Sequence, residues 1–160
     1  MLASNYIKTL LLVALMLVLT VPPHVGFMVL LFLPIFIAWA IYGSTVMIRK
    51  PEQRKLRAIK IAIWTTAFLV VGAIHLYWAR AARKDADAVL SAVHSYKTKT
   101  GMYPENVTQL GIDERDLQHK WMLGYLPGKD QPFLAYASTF MLFGTFTYDF
   151  HHGKWKYNSD

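Results

Sequence analysis

The side chains best suited to covalent chemistry stand close together at residues 87–94. Asp87, Ser91 and His94 are separated by four and then three positions, so a helix would stack them on one face. They are the residue types of a carboxylate, a nucleophile and its base. Acyl transfer also needs a sharply presented nucleophile and an oxyanion hole, and no glycine-flanked elbow surrounds Ser91. His119, His151 and His152 are metal-ligating types, but a metal needs three or four convergent ligands, and adjacent histidines in a turn point apart. Asp113, Glu114, Asp116 and Asp130 offer oxygen ligands suited to calcium, yet they are scattered and read as solvated loop acids. His75 is the one ionisable residue well inside an apolar run, a functional candidate by default. Its neighbours Tyr77 and Trp78 and the lack of an acid in the other apolar runs make it an interfacial histidine with a wet ring. The expectation is a non-enzymatic protein with no metal and no cofactor. The absence of cysteine removes disulfides, thiol catalysis and cysteine metal sites.

The elements that carry these residues divide the 160-residue chain in two. Residues 1–79 hold three apolar runs, about 6–21, 25–42 and 59–79, each close to the roughly 20 residues that cross a hydrocarbon core. Pro22-Pro23 ends the first, and Pro34 lies inside the second and is expected to kink it. The first run competes with a cleaved signal peptide, but its basic flank is thin and no small-residue cleavage site precedes the prolines. An uncleaved anchor fits better, and the expectation is a three-helix membrane anchor.

The net charge of +7 belongs to that half. Residues 1–79 carry seven basic residues against Glu52 alone, six of them between Arg49 and Lys60, whereas residues 80–160 carry ten basic and nine acidic. A nucleic-acid surface would need the excess on the folded domain. A basic loop between apolar runs is instead the mark of a cytoplasmic loop. The amino terminus and residues 44–57 are thus expected inside, and residues 80–160 outside. Aromatics mark the interfaces, with Trp39, Tyr42 and Trp64 at one level and Tyr77 and Trp78 at the other.

No glycine or proline interrupts residues 73–100, and Ala82, Ala86, Val89, Leu90, Val93 and Tyr96 recur every three or four residues. The third membrane helix therefore continues to about Thr98, with one apolar face. Strands are expected at Lys120–Leu126, Pro132–Ser138, Met141–Phe150 and Lys154–Tyr157, with Leu142, Phe146, Tyr148 and Phe150 on one face of the third. His151-His152-Gly153 forms a hairpin turn. The fold class expected for residues 80–160 is a small α+β domain, a long helix packed on an antiparallel sheet.

Residues 86–104 resemble the region after the membrane helix in major, G-type pseudopilins of type II secretion, and more loosely type IV pilins. The likeness rests on the small-residue helix through Ala86, Val89, Leu90 and Val93 to Tyr96-Lys97, then Gly101, Tyr103-Pro104 and Leu110. It covers about 25 residues and implies a pilin-like helix-then-sheet fold in which these residues are structural. The processing motif departs from the family: Gly26-Phe27 is followed by Leu31 where a prepilin has its glutamate, and a membrane run precedes it. The resemblance thus implies an accessory or scaffold component of a secretion or pilus-like system, not a polymerising pilin. The alternative is an immunity-type membrane protein that neutralises a toxin at the inner membrane. Either role implies a bacterial inner-membrane location, a periplasmic domain, a lipid bilayer and a protein partner. The many aromatics of the carboxy-terminal half exceed what a small core buries, so Trp121, Tyr125, Phe143, Trp155 and Tyr157 are the expected partner surface.

Overall fold

A computed structural model describes residues 2–128 and 131–159. It divides into two compact units, Met1–Leu76 and Tyr77–Asp160.

Unit 1 is helical. Helix α1 (Leu2–Thr20) stops before Pro22-Pro23, and a 3-10 turn (Gly26–Met28) leads into α2 (Val29–Arg49), which runs through Pro34. Pro51 opens a second 3-10 turn (Pro51–Gln53), where its missing N–H costs nothing, and α3 (Arg54–Thr100) follows. Val13 and Met16 of α1 and Ala67 and Val71 of α3 form a small core, flanked by Phe32 of α2. Two helices are long and apolar enough to cross a membrane, one within Gly26–Arg49 and one within Pro51–Thr100. This corrects the expectation of three: the apolar part of α1, Tyr6–Thr20, is shorter. At 1.5 Å per residue it covers about 22 Å, against about 30 Å of hydrocarbon.

His75 also differs from expectation. It is buried, and its Nε2 lies 2.6 Å from the carbonyl oxygen of Thr20. A carbonyl only accepts, so Nε2 carries the proton and satisfies one of the orphan carbonyls at the end of α1. Thr20 itself turns inward, its hydroxyl donating to the Met16 carbonyl at 2.7 Å.

Unit 2 takes the remainder of α3, from Tyr77, as its spine. Gly101, at φ +80°, ends the helix in the left-handed region that glycine enters freely. A 3-10 turn (Val107–Leu110) and the short helix α4 (Glu114–Trp121) follow, then β1 (Gly124–Leu126), β2 (Phe133–Ala137), β3 (Gly144–Asp149) and β4 (Lys154–Ser159). The sheet is an antiparallel meander in the order β1-β2-β3-β4, so β1 and β4 are its edges. Helix-plus-antiparallel-sheet is the architecture read from the sequence. The first expected strand is corrected: Lys120 and Trp121 belong to α4, and only Gly124–Leu126 is extended. The third is shorter, because residues 138–143 form the β2–β3 connection, closed by the Ser138 N–H donating to the Gly144 carbonyl.

The core lies between α3 and one sheet face. Ala82, Ala86, Val89 and Val93 pack against Leu123, Tyr125, Leu134 and Tyr136, all buried. The two alanines let the sheet approach the helix closely, and the register places Phe146 opposite both Tyr136 and Tyr157 on the same face.

Candidate functional site

The polar residues of unit 2 are largely consumed by its own packing. Asp85 accepts from the indole Nε1 of Trp121 at 2.6 Å and pairs with Lys120 Nζ at 2.8 Å, tying α4 to α3. Burial disfavours the charged carboxylate, but the hydrogen bonds from Lys120 and Trp121, with the positive charges of Lys120 and Lys84, outweigh it and hold Asp85 below the usual carboxylate range. The hydrogen bond to Asp85, then its charge, raises Lys120 in return.

Asp87 is committed in the same way. It accepts from Trp155 Nε1 at 2.8 Å and pairs with Arg83 Nε at 2.9 Å, while the Arg83 guanidinium lies 5.1 Å from the Trp155 ring centre. This three-way contact pins edge strand β4 to the helix. Asp87, Ser91 and His94 do line one open groove of about 580 Å³, with Tyr148 on its far wall. His94 makes edge-on ring contacts with Tyr148 and Phe150, at 6.1 and 5.8 Å between centres. Among the described residues no hydrogen bond links Ser91 to His94 or His94 to Asp87, so the three are neighbours without being a relay.

The remaining candidates are structural or dispersed. Asp149 accepts from the backbone N–H groups of His151 and His152 and pairs with Lys156 and the His152 ring, shaping the β3–β4 turn. The Lys156 bond, followed by the His152 N–H, holds its carboxyl far below the ordinary range. Asp113 caps α4 by accepting from the Arg115 N–H at 2.9 Å, and Glu114 bonds Gln118 one turn on. Asp130 lies outside the described residues. No group of three or more metal-ligating side chains converges among the described residues.

The residues of the pilin-like segment sit in the packing. Pro104 is fully buried, and its carbonyl accepts from the Tyr125 hydroxyl at 2.7 Å. Burial pushes that hydroxyl's pKa up to about 12. Tyr103 folds back under Lys97, whose Nζ is 4.1 Å from the ring centre, and meets Phe150 edge-on. Tyr96 is half-buried, and Leu90 and Leu110 pack against the core.

The expected partner surface is only partly a surface. Trp121 and Tyr125 are 3% and 9% exposed and belong to the core, because each turns its polar tip to an internal acceptor and its ring inward. Trp155 is half-buried, whereas Tyr157 and Phe143 are 46% and 73% exposed. What faces out is the β4 edge, with Tyr157 on it, and the β2–β3 connection, with Met141, Leu142 and Phe143 all exposed. Sequence alternation places Tyr157 on the helix-facing side of β4, but gives no sign that β4 is the last strand of the sheet.

Unit 2 is thus a small α+β domain with a free strand edge and no assembled reaction centre among the described residues. Compared with protein families, with curated proteins and with solved structures, the chain has no match.

Proposed function

We propose that the chain is a membrane-anchored binding protein, non-catalytic, whose extracytoplasmic unit 2 takes an extended segment of a protein partner along β4. The observation that carries this reading is the free edge of β4: six residues, Lys154–Ser159, paired on one side with β3 and standing at the end of the sheet. Such an edge presents unpaired backbone N–H and C=O groups to an incoming strand. Its side chains suit the task. Lys154 and Lys156 alternate with Trp155 and Tyr157, so charge deters indiscriminate pairing while two aromatics offer contact area.

The membrane reading rests on apolar exposure. The apolar windows of the two long helices are only 11% and 17% buried, and Leu69, Ile35 and Val18 stand 69%, 70% and 72% exposed. Water would not tolerate that stripe, whereas lipid is its ordinary solvent. The basic residues between Arg49 and Lys60 straddle the turn between α2 and α3, which supports an orientation with that turn inside and unit 2 outside. That orientation is independent of whether α1 crosses. The pilin-like reading is supported by the helix-to-meander order and by the positive φ of Gly101 before Tyr103-Pro104. It favours an accessory role in a secretion or pilus-like assembly of a bacterial inner membrane.

A photo-crosslinking amino acid at Lys156 or Asn158, in cells carrying the full chain, tests the edge. Discrete adducts are expected from both positions and none from Ser95. Proline at Lys156 and at Tyr157 sharpens it, since consecutive N–H groups alternate between β3 and the open side. The proline that spares the ladder should abolish the adduct without unfolding unit 2. Adducts that persist with both prolines, or appear equally at Ser95, refute binding at this edge.

A further inference from the structure

The two ends of unit 2 differ in chemistry. Residues 137–147 contain no ionisable side chain, and their tip exposes Met141, Leu142 and Phe143 at 39%, 48% and 73%. The β3–β4 turn at the opposite end of the sheet is Phe150-His151-His152-Gly153, clasped by Asp149 and Lys156. Antiparallel pairing forces successive connections to opposite ends, so one end of the sheet is apolar and the other polar.

The contacts with α3 say which end is which. Tyr148 lies beside His94, as does Phe150. Strand β1 gives the direction along the helix: Trp121, just before it, bonds to Asp85, whereas Tyr125 within it bonds to the Pro104 carbonyl past the end of α3, and β3, two antiparallel pairings away, runs the same way as β1. Descending β3 from Asp149 to Gly144 therefore descends α3 from His94 toward Tyr77. Six strand residues cover about 20 Å, the rise of about 13 helical residues. The strands are tilted to the helix, so this is an upper bound, and Gly144 and the 141–143 tip lie toward the Tyr77 end of unit 2. Met122, 63% exposed and held at φ +49°, follows Trp121, whose ring meets Trp78 at 5.9 Å, so it lies toward the same end. Arg80 and Lys84 are exposed on that part of α3.

From these observations we infer that the β2–β3 connection is a second membrane contact, with Met141, Leu142 and Phe143 seated in the headgroup–acyl boundary of the outer leaflet. The occupant of this patch is lipid, for two reasons. The patch lies toward the Tyr77 end of unit 2, the end that continues in sequence into the apolar stretch of α3, and its tip is charge-free while the first turns of that end carry the exposed cations Arg80 and Lys84, suited to phosphate headgroups. Two points of attachment, α3 and the tip, would fix the tilt of unit 2 and hold the β4 edge in one orientation to the membrane. The inference rests on the membrane reading proposed above.

The chain has no cysteine, so single-cysteine variants can be labelled cleanly. The full-length protein, reconstituted in phosphatidylcholine–phosphatidylglycerol vesicles, is labelled with an environment-sensitive fluorophore at Phe143→Cys, His152→Cys or Leu69→Cys. Spin-labelled lipid serves as quencher. A probe about 5–10 Å into the boundary should lose at least about half its emission to shallow quencher. That loss is expected at 143 and absent at 152, with deep quenching at 69. Leu142→Cys should repeat the result for 143, which guards against a local effect of one substitution. Quenching at 69 with none at 142 or 143 overturns the tip contact and leaves the anchor standing. No quenching at 69 overturns the membrane reading, and the tip contact with it. A blue shift at 143 that spin-labelled lipid does not quench means that protein covers the tip, which also overturns the inference.

Discussion

Replacing Asp85 by alanine should loosen the attachment of α4 to α3, and the structure sets the size of the effect. Asp85 is the acceptor for Trp121 Nε1, at 2.6 Å, and Trp121 is 3% exposed. Removing the carboxylate leaves an indole N–H buried without an acceptor, a loss of about 1–3 kcal/mol. The Lys120 pair adds little, since that ammonium is largely solvated. For a unit of this size each kcal/mol moves the midpoint by about 4–8 °C, so a loss near the middle of that range lowers Tm by roughly 8–16 °C. The measurement is a near-UV melt of the full chain in detergent, with hydrogen exchange across residues 114–126 as the local readout. Asp85→Asn retains an oxygen for the indole and should recover most of the loss. The pH dependence has a definite sign. The folded pKa lies below the unfolded value, so this stabilisation is present above about pH 4 and fades as pH falls through the folded pKa. The Asp85→Ala protein should lack that acid-side decline. The control is Trp121→Phe, which removes the donor. If Asp85→Ala costs as much in the Trp121→Phe background as in the native one, the hydrogen bond is not the cause and the reasoning fails.

Two further outcomes follow from local geometry. Gly101→Ala should lower stability by about 1 kcal/mol, with Gly101→Asn milder: nothing lies within 4 Å of an added Cβ, so the cost is the left-handed backbone alone. Equal stabilities of Ala and Gly in a denaturant titration would contradict this. Asp149, held far below its ordinary range, should keep the β3–β4 turn closed at neutral and mildly acidic pH and release it only in strong acid. Amide protection of His151 and His152, corrected for intrinsic exchange, should persist until then, and Asp149→Ala, which removes the acceptor, should abolish it at every pH.

Much of this architecture is written in local patterns. The Ala82–Ala86–Val89–Val93 spacing is a helix stripe wherever it occurs, and it is the face that α3 buries. The alternation through Phe146 and Tyr148 is equally local, and β3 presents both toward the core. Gly101 before Tyr103-Pro104 ends a helix by backbone sterics alone. The segment around Trp121 is different. Lys120–Leu126 alternates like a strand, but Asp113 caps a helix that Trp121 then anchors to Asp85, 36 residues away, and that anchor prevails over the alternation. Trp121 and Tyr125 appear as surplus aromatics in composition, and each becomes core because a distant acceptor, Asp85 or the Pro104 carbonyl, lies where its polar tip needs one.

Periodicity, charge placement and backbone-restricting residues are properties of neighbours in the chain, so the sequence alone determined that two long apolar helices flank a basic segment, that the second continues without a break to about Gly101 and which face of β3 is apolar, whereas the expected 44–57 loop is mostly helical, with α2 reaching Arg49 and α3 starting at Arg54. Exposure and hydrogen-bond partnership depend on segments far apart in sequence. The tertiary structure alone therefore decided that His75 caps α1 instead of facing water, that Asp87 holds Trp155 instead of a catalytic histidine, and that β4 is left as an open edge.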